Sequence, residues 1–154
     1  MCIRDSLVVA CDGAKSPLRQ LAGLPSYPGP HRQTAIVTNL SVERDHDNTA
    51  FQRFLPSGPL ALMPFGPRRM SLVWTMKIAE AENLYALDDA DFAAAVYAAF
   101  GPSLGEIQAL NPRRLWPLIP AIMPKLTGEQ LVLAGDAGHV IHPLAGQGLS
   151  LIHI

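Results

Sequence analysis

A strand that runs straight into a glycine-rich acidic turn limits the fold of this chain more than any other feature. Gln130 to Ala134 is a short apolar strand, and it opens onto GDAGHVIHPLAGQG, Gly135 to Gly148. A carboxylate placed where a strand ends, as Asp136 is, can reach a ribose hydroxyl. Pro143 and the Ala-Gly that follows fix a tight backbone path. Gly146, Gln147 and Gly148 offer bare amide N–H groups where a helix would begin, and such an end carries about half a positive charge and favours anions.

A second acidic turn lies near the other end. Leu7-Val8-Val9-Ala10 is a short apolar run that stops at Cys11-Asp12-Gly13. Short β-branched runs ending in Asp-Gly read as a buried strand and a turn. Ser16 then suits a helix N-cap and Pro17 the first helical position, ahead of Leu18 and Arg19. The stretch 25–30, rich in Pro, Gly and Ser, reads as a linker.

Between the two turns the pattern is that of an antiparallel sheet. Strands are expected over Thr34–Val42, Thr49–Leu55, Leu60–Pro64 and Met70–Lys77, with turns at 56–59 and 66–69. Asp88 to Phe100 reads as a helix capped by Asp88 or Asp89, with Phe92, Val96, Ala99 and Phe100 at helical spacing and Gly101-Pro102 ending it. Ser103–Leu110 reads as a short second helix and Arg113–Leu118 as one more strand. The 14 prolines favour short strands and turns over long helices.

Bulk properties exclude several classes. A net charge of -1 gives no electrostatic reason to expect nucleic acid. No apolar run approaches the roughly 20 residues of a membrane-spanning helix. No signal peptide is visible, and Cys2 and Cys11 make neither a disulfide framework nor a zinc site, so a reducing cytoplasm or organelle matrix is the expected compartment.

Both ends are expected to be foreign. The codons for residues 1–6 and 149–154 can be written as near reverse complements that match a transposon adapter used in preparing sequencing libraries. The natural polypeptide is then 7 to 148 or 149, with 1–6 and 150–154 as adapter artefact. Source DNA that continues past Leu149 without the adapter would refute this.

With these residues in view, the chain resembles the flavoprotein aromatic hydroxylases, the family of para-hydroxybenzoate hydroxylase, and within it the ubiquinone-biosynthesis branch. The family's Gly-Asp motif continues Ala-Ala-His, then Pro, then Gly-Gln-Gly-x-Asn. Here Gly138 stands for the second Ala and Ser150 for the Asn. Its Asp-Gly motif, Ala-Asp-Gly-x-x-Ser-x-x-Arg, is matched from Cys11 to Arg19, with Cys11, read as a packing residue, in place of a small one. Residues 51–64 and 70–75 resemble the substrate-domain sheet. The resemblance implies FAD as cofactor, held by Asp12, Gly13, Arg19, Gly135, Asp136, Pro143, Gly146, Gln147 and Gly148. Asp136 would lie at the ribitol or pyrophosphate, Arg19 would hold the Asp-Gly motif and its pyrophosphate neighbourhood, and Pro143 and Gly146–Gly148 would line the flavin ring. It implies NAD(P)H as reductant, O2 as co-substrate and a polyprenylated phenol as the molecule hydroxylated. The cytoplasm is expected, with the periphery of the inner membrane or a biosynthetic complex as further addresses. No catalytic base is assigned.

The implied fold is α/β of the mixed α+β kind, a fragment of a two-part FAD-binding monooxygenase. Parts of the FAD-binding domain span 7–30 and 121–149, and an antiparallel substrate region, 31–120, is inserted between them. The family's glycine-rich ADP-binding turn is not found. Hydroxylation of another aromatic by the same fold, or a non-catalytic piece that cannot hold FAD, are the alternatives.

Plainer roles compete for other residues. His139 and His142 could ligate a metal, but without a carboxylate or thiol at fitting spacing a structural role beside the loop is favoured, and no metal is expected. Arg68-Arg69 and Arg113-Arg114 read as solvated turn charges, Trp74 and Trp116 as core, and Ser16 as a cap rather than a nucleophile.

Overall fold

The computed structural model describes residues 6–30, 32–110 and 112–141. Pro143, Gly146, Gln147 and Gly148 lie outside them. In chain order the elements are β1 (Val8–Ala10), α1 (Pro17–Leu21), β2 (Tyr27–Pro28), β3 (Gln33–Val42), β4 (Phe51–Leu55), β5 (Gly58–Gly66), β6 (Arg69–Lys77), α2 (Ile78–Tyr85), α3 (Asp89–Phe100), β7 (Ile107–Ala109), β8 (Arg114–Leu118), β9 (Ala121–Ile122), β10 (Thr127–Gly128), β11 (Leu131–Leu133) and β12 (His139–Val140). Single 3-10 turns cover Pro102–Leu104 and Gly135–Ala137. The fold is mixed α/β with mostly antiparallel pairing, and it divides into two compact units. One uses the described parts of 1–31 and 118–154, the other 32–117.

The 32–117 unit is a sheet in the order β4-β5-β6-β3-β7, with β8 also on β3. β3 and β6 run antiparallel from Gln33↔Lys77 to Ser41↔Arg69. Alternation puts Ile36, Leu40 and Val42 on the same face as Met70, Leu72, Trp74 and Met76, and that face packs on Ala81 of α2 and on Phe92, Val96 and Phe100 of α3. α3 is set at both ends. The Asp88 carboxylate accepts the Asp91 N–H at 2.8 Å, and Arg53 donates from Nη1 to the Phe100 carbonyl at 2.6 Å, a cation where the helix is negative.

Several expectations are corrected. Residues 103–110 are not a helix: β7 adds Ile107 to Ala109 to the sheet against β3 instead. Gly105 explains the break. It sits at φ +71°, and a Cβ there would collide with the Glu43 side chain. Helix α2 carries no local start signal, since Lys77, its N-cap residue, gives no side-chain cap. The supposed linker 25–30 contributes β2, which pairs with β9. Trp116 is 66% exposed rather than core. Arg113 is no solvated charge: it lies 4.8 Å from the Phe92 ring centre, 3.2 Å from the Asp89 carboxylate, and donates to the Asp88 carbonyl. Cys11 is exposed, so it does not pack.

The second unit holds two small sheets, β1-β11-β10 and β12-β9-β2, around a core of Ala10, Leu133 and Ala137. Among the described residues no helix is long and apolar enough to cross a membrane.

Candidate functional site

Both acidic turns belong to the second unit, and the strands behind them bring them together. β1 and β11 are parallel, with Val8↔Leu131, Val9↔Val132 and Ala10↔Leu133 in register. The Ala134 N–H donates to the Ala10 carbonyl at 2.9 Å, which carries the pairing to the last strand residue. The chain therefore leaves both strands side by side, as Cys11-Asp12-Gly13 and as Gly135-Asp136-Ala137. Ligands of α/β folds bind in such a place, outside the carboxyl ends of parallel strands. Gly13 and Gly135 turn the chain at φ +87° and +58°, and nothing lies within 4 Å of where a Gly13 Cβ would stand. The Asp-Gly turn is thus open to a ligand.

The first turn is rigid because Ser16 works in two directions. Its Oγ accepts the Arg19 N–H at 3.0 Å, capping α1. Its hydroxyl also bonds the Asp12 carboxylate, whose Oδ2 accepts the Leu18 N–H at 3.0 Å. These two bonds, the one from Ser16 first, hold the Asp12 carboxyl below its ordinary value despite full exposure. Pro17 has no N–H and the Gln20 N–H reaches the Ser16 carbonyl. The first turn of this five-residue helix keeps no donor for an anion.

Arg19 joins the two turns. It is 5% exposed. Nη2 donates to the Ala14 carbonyl at 2.8 Å and Nη1 to the Ala137 carbonyl at 2.9 Å. The planar guanidinium fork can hold two acceptors at fixed spacing, which an ammonium cannot. Past Asp136, which is exposed, the chain packs tightly. The Gly138 N–H donates to the Gly135 carbonyl at 2.9 Å. A Cβ on Gly138 would press on Leu126 Cδ2 at 3.2 Å and the Leu133 carbonyl oxygen at 3.3 Å, so the departure from the usual Ala relieves contact in this chain. His139 opens β12 opposite Ile122, and its Nε2 is buried without a hydrogen-bond partner.

Of the residues singled out from the sequence, Asp12, Gly13, Arg19, Gly135 and Asp136 meet in this one unit. Those at 143 and 146–148 fall beyond the described residues. The carbonyls of Ala14 and Ala137, the second bond of Ser16 and the bare nitrogen of His139 had no sequence signal, since the first two are backbone atoms and the others depend on contacts. As a host for a flavin nucleotide the set fits in part. Two exposed carboxylates on neighbouring turns suit the hydroxyls of a polyol chain, to which carboxylates act as acceptors. A phosphate would find the donors of α1 already taken and the Arg19 guanidinium engaged by carbonyls. Among the described residues no group of three or more His, Cys, Asp or Glu could hold a metal.

Comparison with known proteins identifies the family. A family model described as FAD binding domain matches residues 2–151. The chain is 38% identical over 148 residues to a ubiquinone hydroxylase, UbiL, of Rhodospirillum rubrum, covering 96% of this chain and 34% of that protein. It is 34% identical over 149 residues to the 3-demethoxyubiquinol 3-hydroxylase of Escherichia coli K12, covering 97% and 38%. In fold it is similar to the solved structure of PqsL from Pseudomonas aeruginosa in complex with 2-aminobenzoylacetate, with a TM-score of 0.73, 22% identity, and coverage of 97% of this chain and 42% of that one. The chain spans about a third of the length of the curated relatives it matches, 36% and 34% for two of them.

Proposed function

The chain belongs to the FAD binding domain family, and on that premise we propose that it forms part of an FAD-dependent monooxygenase. The enzyme hydroxylates the aromatic ring of a polyprenylated phenol in ubiquinone biosynthesis, using NAD(P)H and O2. One observation carries the proposal: Arg19 ties the Asp-Gly turn to the Gly-Asp turn through the Ala137 carbonyl at 2.9 Å, at the carboxyl ends of two paired parallel strands. The named activities of the relatives support the substrate class.

FAD, when bound, supplies the redox and oxygen-transfer chemistry, and the protein orients it and keeps water out. Ser16 and Leu18 hold the Asp12 carboxyl below its ordinary value, so it offers an acceptor to a cofactor hydroxyl, and the exposed Asp136 carboxylate on the neighbouring turn offers a second. Gly13 leaves the approach clear and Gly135 sets the bend. Arg19 fixes the spacing of the two carboxylates. We assign Pro143, Gly146, Gln147 and Gly148 to the edge of the flavin ring, where bare amides favour the negative charge of its reduced form. In the other unit, the sheet face opposite the core carries Ala61, Val73 and Val37 in one row, and Phe54 and Met63 at 73% and 42% exposure. We assign the apolar row on this face, Ala61, Val73 and Val37, to the greasy substrate. We place the enzyme in the cytoplasm, meeting its substrate at the periphery of the inner membrane or within a biosynthetic complex.

The test is a turnover assay on the enzyme that carries this chain, with FAD, NADH or NADPH and a polyprenylated phenol under air. The expected product is the phenol with one added oxygen and a new ring hydroxyl. Oxidation of the reductant with every polyprenylated phenol left unchanged, and another aromatic converted, would assign a different substrate. A purified enzyme that takes up no FAD would end the proposal.

A further inference from the structure

We propose that the groove between helix α3 and the outer edge of strand β7 docks an extended, basic segment of a partner protein, which joins the sheet as one more strand. The helix supplies the first reason. After Asp91, α3 carries no charged residue, and its outward side is Ala90, Ala94, Ala98 and Tyr97, the last 41% exposed. A helix apolar on every side is normally buried, yet the sheet takes up the side that carries Phe92, Val96 and Phe100. The strand supplies the second reason. The Glu106 carbonyl accepts the Glu43 N–H, and the Leu110 N–H donates to the Asn39 carbonyl, each at 2.9 Å. Even-numbered residues therefore turn their backbone groups to β3, and Ile107 and Ala109 turn theirs away from it. β7 ends the strand order, and among the described residues no strand pairs with its outer side. Such a row of backbone donors and acceptors is a template for a strand from another chain. The two features meet in one open groove of about 730 Å³, with Ala90, Ala93, Ala94 and Tyr97 on the helix wall and Ile107 and Ala109 on the strand wall. A strand laid there would bond the edge with its backbone and set every second side chain on the alanine wall. Charge selects which strand. Among the described residues lining the groove, Glu43, Glu106 and Asp89 face one cation, Arg44, whose guanidinium already donates to the Pro102 carbonyl. Asp89 is paired with Arg113. The unmatched charge is that of the two glutamates, which the bond from the Glu106 N–H to the Glu43 carboxylate keeps side by side. A second copy of this chain would bring the same negative groove and be repelled, whereas Lys or Arg side chains are attracted.

The test uses the enzyme that carries this chain and three synthetic heptapeptides: one alternating Lys and Val, its counterpart with Glu for Lys, and the Lys form with Pro at the central position. Hydrogen exchange follows the Ile107 and Ala109 amides. The Lys peptide should slow exchange at both severalfold and leave the β3–β6 ladder unchanged. The Glu peptide, which is repelled, and the Pro peptide, which cannot complete the pairing, should do neither. Glu43→Gln combined with Glu106→Gln keeps the side-chain acceptors and should weaken the Lys peptide about fivefold, the effect of two exposed charges. Ala109→Pro deletes an outward N–H from an edge strand, where proline is tolerated, and should abolish binding with the melting temperature unchanged. If that variant does not fold, the glutamine pair decides. No protection by the Lys peptide, or equal protection by the Glu or Pro peptide, overturns the proposal. So does unchanged affinity in the glutamine pair. Amides already protected in the enzyme alone would mean that the enzyme covers its own edge. Protection that grows with enzyme concentration as larger species form would mean a second copy. Either result also overturns it.

Discussion

Arg19→Met removes the tie between the two acidic turns while keeping most of the side chain's volume. The guanidinium makes two short bonds, 2.8 Å to the Ala14 carbonyl and 2.9 Å to the Ala137 carbonyl. Each charge-assisted bond contributes about 1.5–3 kcal/mol net of the water it displaces, and both are lost at a side chain that is 5% exposed, so the loss should be about 3 kcal/mol or more. Arg19→Lys can reach one carbonyl but not span both, and should fall about halfway. Urea unfolding followed by hydrogen exchange locates the effect. The Ala134 and Gly138 amides, bonded to the Ala10 and Gly135 carbonyls, should exchange faster in Arg19→Met, while amides of the β3–β6 ladder should not change. A variant as stable as wild type, with those two amides equally protected, would refute the claim that Arg19 holds the turns together.

Further consequences follow from the same geometry. Ser16→Ala deletes the α1 cap and the first support of the Asp12 carboxylate, and should cost about 1 kcal/mol in a urea melt, with the Asp12 titration, followed by NMR, moving up toward its ordinary value. The folded-state pKa of Asp12 is lowered, so its stabilising contribution is present above the unfolded-state value near 4 and is lost as pH falls through the lowered folded value. Asp12→Asn should therefore flatten that part of the acid limb of stability against pH, and an unchanged limb would count against the bonds from Ser16 and Leu18. Arg113→Met should cost about 1 kcal/mol by thermal melting, most of it from the Phe92 ring and the Asp88 carbonyl, since Asp89 is 78% exposed and its ion pair is weak.

The strands β3 to β6 and helix α3 could be read from the amino acids because alternation and capping are local signals. Ile36, Leu40, Leu72 and Trp74 fall on one face by parity alone, and Asp88 sits where a cap must. Residues 103–110 differ from their local helical pattern because β7 forms through pairing with β3, a distant partner, and Gly105 breaks that pattern. Helix α2 lacks the cap that would mark its start. At the site, Asp12 and Asp136 stand out by residue type, but what joins them does not. Arg19 bonds a carbonyl 118 positions away, and a carbonyl is present whatever residue occupies position 137. Arg113 and Trp116 show the same limit: whether a charge is clamped or an indole exposed depends on neighbours that composition does not name. His139 is visible as a histidine, but its unused nitrogen appears only once the strands around it are in place.

Hydrogen exchange on the enzyme that carries this chain, with and without saturating FAD, tests most directly whether the two turns share one ligand. Protection should rise together across residues 11–19 and 135–139, and Asp12→Asn should reduce it in both segments. FAD that binds tightly yet slows exchange in only one segment, or in neither, would contradict a shared site.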